Sequence, residues 1–433
     1  MNYDEALDFI HSVSWKGSKP GLERTAELLG KINNPQNKLK FIHVAGTNGK
    51  GSFCSMLESI LRSAGYRVGL YTSPFVERFN ERMKVNGADI DDETLASITG
   101  YVKPFAESMR DSPTEFELIT AIALEYFKRE NCDYVVFECG MGGRLDSTNV
   151  IETPVLSVIT GISLDHTAYL GDTVGKIAAE KAGIIKKGIP CLWCGNDSEA
   201  YRVISKRASE LGSELYTVVR DKLTVKKEAL DGTCFDYGRY KDLKIPLLGT
   251  YQVTNALNVI SAVEILRGRG IEISDFALYG GLSEAKWKAR FEIICRDPIV
   301  IFDGGHNPEG VDSAVESVRK YFGGDKLNVV TGVLADKDYG YIAKKISEIA
   351  ERVYCLTPGN PRALSATDYA AVFNGLGVSA QGYDGIGAAV CAAMSDAAER
   401  KKNVICIGSL YIYADVKKAV KMYADAECRK KIN

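Results

Sequence analysis

The feature that most constrains the fold is an apolar run that leads into a glycine-rich loop and then into a helical pattern. The run covers residues 41–45, and the loop reads Ala45-Gly46-Thr47-Asn48-Gly49-Lys50-Gly51-Ser52. From Ser52 onward, apolar side chains recur on one helical face: Phe53, Met56, Leu57, Ile60, Leu61 and Ala64. Strand, loop and helix in this order predict a repeating α/β unit.

Further apolar runs predict more strands of the same sheet. They cover residues 68–71, 134–139 and 154–160, and polar side chains are rare within them. Such continuous runs are typical of strands that are buried on both faces of a mostly parallel sheet. Between residues 190 and 250 the pattern changes to short β-prone stretches separated by polar turns, which predicts a strand-rich segment.

The strand–helix alternation restarts near residue 291 and predicts a second α/β domain. Strands are predicted at 299–302, 327–333, 353–356 and 404–407. Asn307-Pro308 supplies an N-cap and a first helical turn before an apolar helical stripe. We therefore expect two α/β domains, covering residues 1–290 and 291–433.

Composition excludes several classes of protein. The 433 residues include 54 Lys and Arg against 56 Asp and Glu, a net charge of -2 that argues against nucleic-acid and anionic-membrane binders. No apolar run approaches the roughly 18 residues of a membrane helix. The acidic N-terminus lacks a signal-peptide pattern, and 11 scattered cysteines favour a reducing compartment. These features predict a cytoplasmic enzyme without nucleic-acid or membrane partners, and we expect a monomer.

Residues 46–52 have the composition of a polyphosphate-binding loop. Glycines let backbone N–H groups point inward, and the following helix adds the positive end of its dipole. Lys50 supplies a full charge, and the Ser52 hydroxyl can reach a magnesium ion. The loop differs from a standard Walker A motif because Gly51 separates these two residues. The alternative is a glycine-rich turn with an incidental lysine.

Two more motifs follow strands of the predicted sheet. Glu138 ends one strand and precedes a polar loop, a position that suits a magnesium ligand opposite a phosphate loop. His166, with Asp165 beside it, follows the next strand and is therefore expected on the same rim. The alternatives are a surface turn in which Glu138 caps a helix and a histidine that is structural or exposed.

Lys181 lies on the apolar face of a helix predicted from Asp172. Periodicity alone favours a lysine that extends its amine to solvent. The other reading is a desolvated lysine with a lowered pKa. A neutral amine there would react with carbon dioxide to give a carbamate, which is an anionic metal ligand.

In the second predicted domain, Asp303 and His306 belong to the loop Asp303-Gly304-Gly305-His306-Asn307-Pro308. A loop at the carboxyl end of a strand is the usual ligand position in α/β sheets, although a plain helix-capping loop is the alternative. Arg290 can reach a phosphate from the predicted hinge or be a surface arginine. Cys191-x-x-Cys194 lacks the second pair that a metal site normally needs.

Together and in this order, the motifs resemble the folylpolyglutamate synthase and dihydrofolate synthase family of the Mur ligase superfamily, over about residues 1–415. The matching segments are His43 to Ser52, Thr72-Ser73-Pro74, Phe79 to Arg82, Thr114 to Glu117, Gly142 to Asp146, Asp165-His166-Thr167, Leu170 to Thr173, Glu180 to Ile184, Gln252 with Asn255, Asp303 to Pro308, and Gly408 to Tyr411. The resemblance implies a P-loop-type N-terminal domain and a smaller, Rossmann-like C-terminal ligase domain.

The resemblance also implies roles for individual residues. The implied nucleotide contacts are Gly46, Thr47, Asn48, Gly49, Lys50, Gly51, Ser52, Asn255, Arg290, Asp303 and His306. The implied magnesium residues are Ser52, Ser73, Glu138 and His166. Lys50, Lys181 and His166 are implied to be catalytic, and Lys181 matches the lysine that is carbamylated in the family.

The implied reaction is an ATP-driven amide synthesis. The carboxylate of a folate or of dihydropteroate is phosphorylated, and the amine of L-glutamate displaces phosphate from the acyl phosphate. Because carboxylate and triphosphate repel each other, lysine, arginine and magnesium must neutralise their charge. Acyl phosphates hydrolyse readily, so closure of one domain over the other would have to exclude water.

Three features depart from the family pattern, and other functions stay open. Phe75 and Tyr251 stand where histidine is frequent, and Lys288-Ala289 replaces a Pro-Gly turn. The alternatives are another Mur-type amino-acid ligase, a P-loop kinase or NTPase, and a nucleotide-gated binding protein. The Lys50-Gly51-Ser52 spacing and the Arg144-Leu145-Asp146 loop favour the folate branch.

Overall fold

The computed structural model describes residues 1–13 and 21–432, with side chains through residue 426. Two compact units are present. The first comprises Met1–Val225, Phe235–Ile245 and Thr254–Lys286, and the second comprises Lys226–Cys234, Pro246–Val253 and Trp287–Asn433. Each unit has its own α/β sheet, which confirms the predicted fold class. The domain limits 1–290 and 291–433 stay a prediction.

The first unit is built on a mostly parallel sheet. Its strands are β1 Phe41–Ala45, β2 Val68–Tyr71, β3 Met83–Val85, β4 Ala88–Asp89, β5 Tyr134–Glu138, β6 Leu156–Ile159, β7 Cys191–Trp193 and β8 Leu215–Thr217. They lie in the order β4-β3-β2-β5-β1-β6-β7-β8. Only the β2–β3 and β3–β4 pairs of this sheet are antiparallel within the described chain. The apolar runs predicted as strands therefore form the middle of the sheet.

Helices cover this sheet. They are α1 Tyr3–Ser12, α2 Glu23–Lys31, α3 Lys50–Ser63, α4 Asp92–Glu107, α5 Glu115–Arg129, α6 Thr167–Leu170, α7 Val174–Ala182, α8 Ser198–Glu210, α10 Asp275–Glu284 and α9 Tyr251–Gly268, whose first three residues belong to the second unit. Every residue of β1, β5 and β6 is buried, as expected for strands with helices on both faces. α5 begins with a capping box in which Thr114 and Glu117 satisfy each other's backbone N–H groups.

The segment predicted to be strand-rich contains strands and one helix that the sequence pattern does not anticipate. Beyond β7 and β8, it forms β9 Leu223–Ala229, β10 Gly232–Tyr237 and β11 Tyr240–Ile245, which pair in the order β11-β10-β9. The unanticipated helix is α8. Only Ala200, Ile204 and Ala208 are buried among its residues. A stripe of one apolar residue per turn is too narrow to stand out as a helical face in the sequence.

The second unit is also a mostly parallel sheet between helices. Its strands β12 Glu292–Arg296, β13 Ile299–Asp303, β14 Leu327–Thr331, β15 Ala350–Cys355, β16 Ala380–Gly382 and β17 Val404–Ile407 lie in the order β12-β13-β17-β14-β15-β16. Its helices are α11 Pro308–Phe322, α12 Tyr339–Ser347, α13 Ala366–Gly375, α14 Ile386–Arg400 and α15 Tyr413–Ile432. Asn307 caps α11 by accepting from Gly310 N. The edge pair β12–β13 is antiparallel.

Two further properties bear on function. Within the described residues, none of the helices combines the length and apolar character that crossing a bilayer requires. Each cysteine whose side chain is described is a free thiol. Cys191 and Cys194 are both buried within the first unit.

Candidate active site

The functional side chains of the first unit meet at one edge of its sheet. β1 lies between β5 and β6 and is parallel to both. The register pairs Val44 with Glu138 and Ala45 with Ile159. The carboxyl ends of three parallel strands are therefore level, and the loops that follow them leave the sheet side by side.

The glycine-rich loop depends on two positions where a side chain cannot fit. Gly46 has φ +155°, and a Cβ there would overlap the hydroxyl of Thr160. Gly49 has φ +82°, and a Cβ there would lie 2.8 Å from Oδ1 of Asn255. The Thr160 hydroxyl also donates to the carbonyl of Asn48 at 2.8 Å. Thr160 and Asn255 therefore hold the loop against the first turn of α3, which begins at Lys50, two residues earlier than its apolar stripe predicts.

Two lysines converge on a single backbone carbonyl. Lys50 Nζ donates to the carbonyl of Gly46 at 3.0 Å and to that of Thr47 at 3.1 Å. Lys181 Nζ donates to the same Gly46 carbonyl at 2.8 Å. Lys181 is only 3% exposed, so the sequence reading in which its amine reaches solvent is wrong. Its burial, followed by the charge of Lys50, lowers the Lys181 pKa to about 7.

Oxygen donors line the rim next to these cations. Glu138, at the end of β5, is 3% exposed, and its Oε2 accepts from the backbone N–H of Ser73 at 3.2 Å. Its Oε1 lies 4.0 Å from Lys50 Nζ. Ser52 is buried in the first turns of α3. In the described residues, no three His, Cys, Asp or Glu side chains group closely enough to hold a metal ion by themselves.

The glycine-rich segment 140–146 fixes the helix that carries Lys181. A Cβ on Gly143 would lie 2.8 Å from the carbonyl of Glu180, so the loop packs directly on the last turn of α7. Arg144 N donates to that carbonyl at 2.7 Å, and its guanidinium pairs with the Glu180 carboxylate at 2.8 Å. Asn149 Nδ2 donates to the carbonyls of Arg144 and Gly183. Close packing therefore sets the position of the Lys181 amine.

A buried chain of side chains that sequence reasoning missed supports the same loop. His43 Nε2 lies 2.9 Å from the Thr148 hydroxyl, and that hydroxyl donates to Asp146 Oδ1. Asp146 Oδ2 accepts from Met141 N at 2.8 Å and so closes the loop. Burial lowers the pKa of His43 to about 3, so the ring is neutral at physiological pH. The sequence signal that points to this hydrogen-bonded series is His43 itself, a polar residue in the otherwise apolar run of β1.

His166 differs from the other predicted residues of the first unit. It lies in the left-handed region at φ +50° and is the N-cap residue that precedes the short helix α6. Its side chain is 47% exposed, and Nε2 lies 3.9 Å from a carboxylate oxygen of Asp165. It therefore occupies the predicted loop, with its ring open to solvent.

The second unit places Asp303, Arg290 and His306 around one loop. Asp303 ends β13 and is buried, with its oxygens accepting from Gly305 N, Phe291 N and the Tyr251 hydroxyl. Arg290 is half-buried, and its Nη1 donates to the carbonyl of Ala289 at 3.0 Å. His306 Nδ1 lies 3.0 Å from the carbonyl of Gly304.

Both units match known domains of one superfamily. Residues 44–263 match the Mur ligase middle domain, and residues 289–410 match the glutamate ligase domain of Mur ligases. The chain is 38% identical to the dihydrofolate synthase/folylpolyglutamate synthase of Bacillus subtilis, over 97% of this chain and 99% of that protein.

The chain belongs to the folylpolyglutamate synthase and dihydrofolate synthase family. It is an ATP-dependent acid–amino-acid ligase.

Solved structures of this ligase family have the same fold. The structure of Escherichia coli FolC with DHPP and ADP has a TM-score of 0.84 and 30% identity, and the match covers 98% of each chain. A bifunctional folylpolyglutamate synthase/dihydrofolate synthase with Mn, AMPPNP and L-glutamate has a TM-score of 0.83 and 31% identity, covering 97% of this chain and 98% of that one. The family resemblance predicted from the motifs is confirmed over the whole chain.

Proposed function

We propose that this ligase joins L-glutamate to a folate or to dihydropteroate through an acyl phosphate, with hydrolysis of ATP to ADP and phosphate. The observation that carries the proposal is the convergence of Lys50 and Lys181 on the Gly46 carbonyl, beside the buried Glu138. A carboxylate can attack a triphosphate only where cations offset the repulsion between them. Relatives with ADP and DHPP, or with AMPPNP and L-glutamate, support the same three substrates.

The nucleotide is proposed to bind at the loop of residues 46–52. Backbone N–H groups at the start of α3 and the Lys50 ammonium offer donors to phosphate oxygens. Asn255, whose side chain packs against Gly49, is proposed as a nucleotide contact. Arg290, Asp303 and His306 are proposed as further nucleotide contacts, as the family resemblance implies. The glutamate ligase domain is proposed to cover residues 291–433. The ATP-binding domain is proposed to cover residues 1–290.

A divalent cation bound with the nucleotide fits the donors at this rim. Ser52, Ser73 and Glu138 offer two hydroxyl oxygens and one buried carboxylate, which are ligands that Mg²⁺ prefers. His166 is proposed as a further residue of the site. The protein set is too small to hold the metal alone, and this suits Mg²⁺, which keeps waters and phosphate oxygens as ligands. Bound there, the ion would neutralise charge on the phosphates.

A carbamate on Lys181 is proposed as a second feature of the site. Only a neutral amine adds to carbon dioxide, and a pKa of about 7 leaves a large neutral fraction at physiological pH. The product carries a negative charge, so the two lysine side chains that share the Gly46 carbonyl would become an ion pair. The 3% exposure of Lys181 protects a carbamate from water.

The test of the reaction is ADP release from the full chain with Mg²⁺ and ATP. Dihydropteroate, tetrahydrofolate and one-carbon tetrahydrofolates are supplied one at a time, each with and without L-glutamate. ADP release that requires both glutamate and a pteroate or folate supports the ligase. ATP consumption that is equal without either substrate would overturn it and favour the NTPase alternative. The same panel decides between dihydropteroate and reduced folates.

The compartment and the assembly state are proposed separately. The free thiols of the described cysteines suit the reducing cytoplasm, where folates are used. The monomeric state stays a prediction, to be checked by light scattering of the purified chain.

A further inference from the structure

The last turn of α7 and the loop of residues 140–146 meet backbone to backbone. A Cβ on Gly143 would lie 3.0 Å from the carbonyl oxygen of Lys181. On the other side of this junction, a Cβ on Gly183 would overlap Cα of Arg144. Because both segments have glycine where they touch, they approach more closely than side chains would allow. The position of Lys181 therefore depends on what holds these two segments together.

Asn149 links the two segments from the buried side. It is 5% exposed, and its Nδ2 donates to the carbonyl of Arg144 at 3.1 Å and to that of Gly183 at 3.2 Å. Its own backbone is held as well, because its N–H donates to the carbonyl of Asp146 at 2.8 Å. Its carbonyl accepts from Lys186 Nζ at 3.1 Å. One amide group on a fixed backbone therefore spans the junction.

A second link across the junction is exposed to water. The guanidinium of Arg144 pairs with the Glu180 carboxylate at 2.8 Å, but the Arg144 side chain is 55% exposed. Ion pairs that water reaches hold their side chains only weakly. The amide of Asn149 is buried in contrast, and its Oδ1 accepts no hydrogen bond from any described residue. Asn149 therefore acts through its two donated hydrogen bonds, which are shielded from water.

We propose that Asn149 is a positioning residue for Lys181, because its two hydrogen bonds hold the last turn of α7 where the Lys181 amine reaches the Gly46 carbonyl. That carbonyl belongs to the proposed nucleotide loop and accepts from Lys181 Nζ at 2.8 Å. Any shift of the turn moves the amine with it, and a misplacement of about 1 Å can reduce turnover about a hundredfold. The proposal rests on the role proposed for Lys181 above.

The test is a double-mutant cycle of Asn149→Ala and Lys181→Ala in the full chain, read as kcat and KM for glutamate-dependent ADP release. We expect Asn149→Ala to lower kcat about tenfold, because the amine is held less often in place. The ATP KM should change less than about twofold, since Lys50 stays in place. In the Lys181→Ala background, Asn149→Ala should change kcat less than about twofold. A further tenfold loss in that background would overturn the positioning role.

Ser157→Ala is the matched control. Ser157 is fully buried in β6, and its hydroxyl donates at 3.0 Å to the carbonyl of Ile184, three residues beyond Lys181. It thus holds the same stretch of chain, but from β6 instead of the loop 140–146. Its urea midpoint should fall as that of Asn149→Ala does, while kcat changes less than about twofold. An equal loss of kcat in both variants would show that loosened packing explains the effect and would overturn the proposal.

The carbamate proposed on Lys181 gives a readout that does not depend on turnover. If the amine is in place only part of the time, the apparent affinity for carbon dioxide falls by that fraction. In carbon-13 NMR, we expect Asn149→Ala to need about tenfold more labelled bicarbonate than the unmutated chain for a half-maximal carbamate signal. Ser157→Ala should need the same concentration as the unmutated chain. An unchanged titration in Asn149→Ala would contradict the positioning role.

The two proposals fail in distinguishable ways. If Lys181→Ala turns over as the unmutated chain does, the role of Lys181 is wrong, and its positioning by Asn149 falls with it. If Lys181→Ala loses turnover and the loss from Asn149→Ala adds to it in full, only the positioning role is wrong. If the unmutated chain gives no carbamate signal, the carbamate is wrong, and the mutant cycle decides whether Asn149 positions the amine itself.

Discussion

Lys181 in the first unit and Asp303 in the second are both buried charged groups, and they are satisfied to different degrees. Lys181 donates to the Gly46 carbonyl, which also accepts from a second cation, Lys50. Asp303 accepts from three donors that belong to its own unit. Burial disfavours the charged form of both groups, lowering the pKa of Lys181 and raising that of Asp303.

The difference separates a buried charged group that favours the arrival of an anion from one that protein donors already stabilise. Two protonated amines on one carbonyl would repel each other, which helps to lower the pKa of Lys181, so the arrangement gains when an anion arrives, whether phosphate oxygens or a carbamate. The Asp303 carboxylate, held by a phenol and two backbone amides, is already stabilised by protein donors. Burial and a shifted pKa are common to both, so neither property alone identifies a catalytic residue.

Replacing Lys181 by alanine should have the largest effect. We expect kcat for glutamate-dependent ADP release to fall on the order of 10²–10³-fold, because charge stabilisation in the closed site is lost, while the far-UV circular dichroism is unchanged. Lys186→Ala is the matched control, since Lys186 also donates to a backbone carbonyl, that of Asn149, and also has a pKa lowered by burial. Near-normal turnover of the Lys181 variant would contradict both the carbamate proposal and the functional contrast between Lys181 and Asp303.

Asp303→Asn should lower the stability of the second unit. Each oxygen of the Asp303 carboxylate accepts from a backbone N–H. In either orientation of the asparagine amide, its NH₂ group would face one of these N–H groups and leave a buried donor unsatisfied. We expect the free energy of unfolding of the second unit to fall by about 1–3 kcal/mol, measured by urea denaturation. Asp336→Asn, which breaks an exposed pair with Arg362, should cost less than about 1 kcal/mol. Equal effects of the two variants would contradict the structural role of the buried carboxylate.

The sequence predicts which segments are buried better than it predicts the partners of their polar groups. The strand 41–45 and the sheet edge at its carboxyl end were predictable, because apolar runs indicate burial and parallel strands end at a common edge. Periodicity also placed Lys181 on a buried face, and the structure confirms the burial. The direction of its amine was predicted wrongly from periodicity, because the carbonyl that accepts from it lies 135 residues away.

The unpredicted features depend on partners that no local pattern reveals. His43 reaches Thr148 across 105 residues, and Tyr251 reaches Asp303 across 52. The loop of Asp303 was assigned from sequence as a ligand position, and the three protein donors to its carboxylate are visible only once the fold brings them together. α8 was not anticipated because its buried stripe is one residue wide.

The pH dependence of the carbamate tests whether Lys181 is incompletely satisfied. With a pKa of about 7, lowered from the ordinary 10.5, the amine is mainly neutral above pH 7 and mainly protonated below it. The neutral fraction should therefore fall about tenfold between roughly pH 8 and pH 6. Carbon-13 NMR with labelled bicarbonate should show a carbamate signal that declines as the pH falls through about 7 and is absent from Lys181→Ala. A signal that persists in that variant would assign the carbamate to another lysine.

Ala289→Gly should have the smallest effect, and its sign relative to a control is informative. Ala289 is buried and lies in the left-handed region at φ +57°, so glycine there relieves about 1–2 kcal/mol of backbone strain. This gain offsets the backbone entropy cost of glycine and the loss of one buried methyl group, each about 0.5–1 kcal/mol. We therefore expect the free energy of unfolding to change by less than about 0.5 kcal/mol. Ala389→Gly, at a fully buried position inside α14, removes the same methyl without relieving strain and should cost about 1–2 kcal/mol. If both variants lose the same stability, Ala289 carries no strain. The segment around Arg290 would then not need the bonds of Asp303 to hold its conformation.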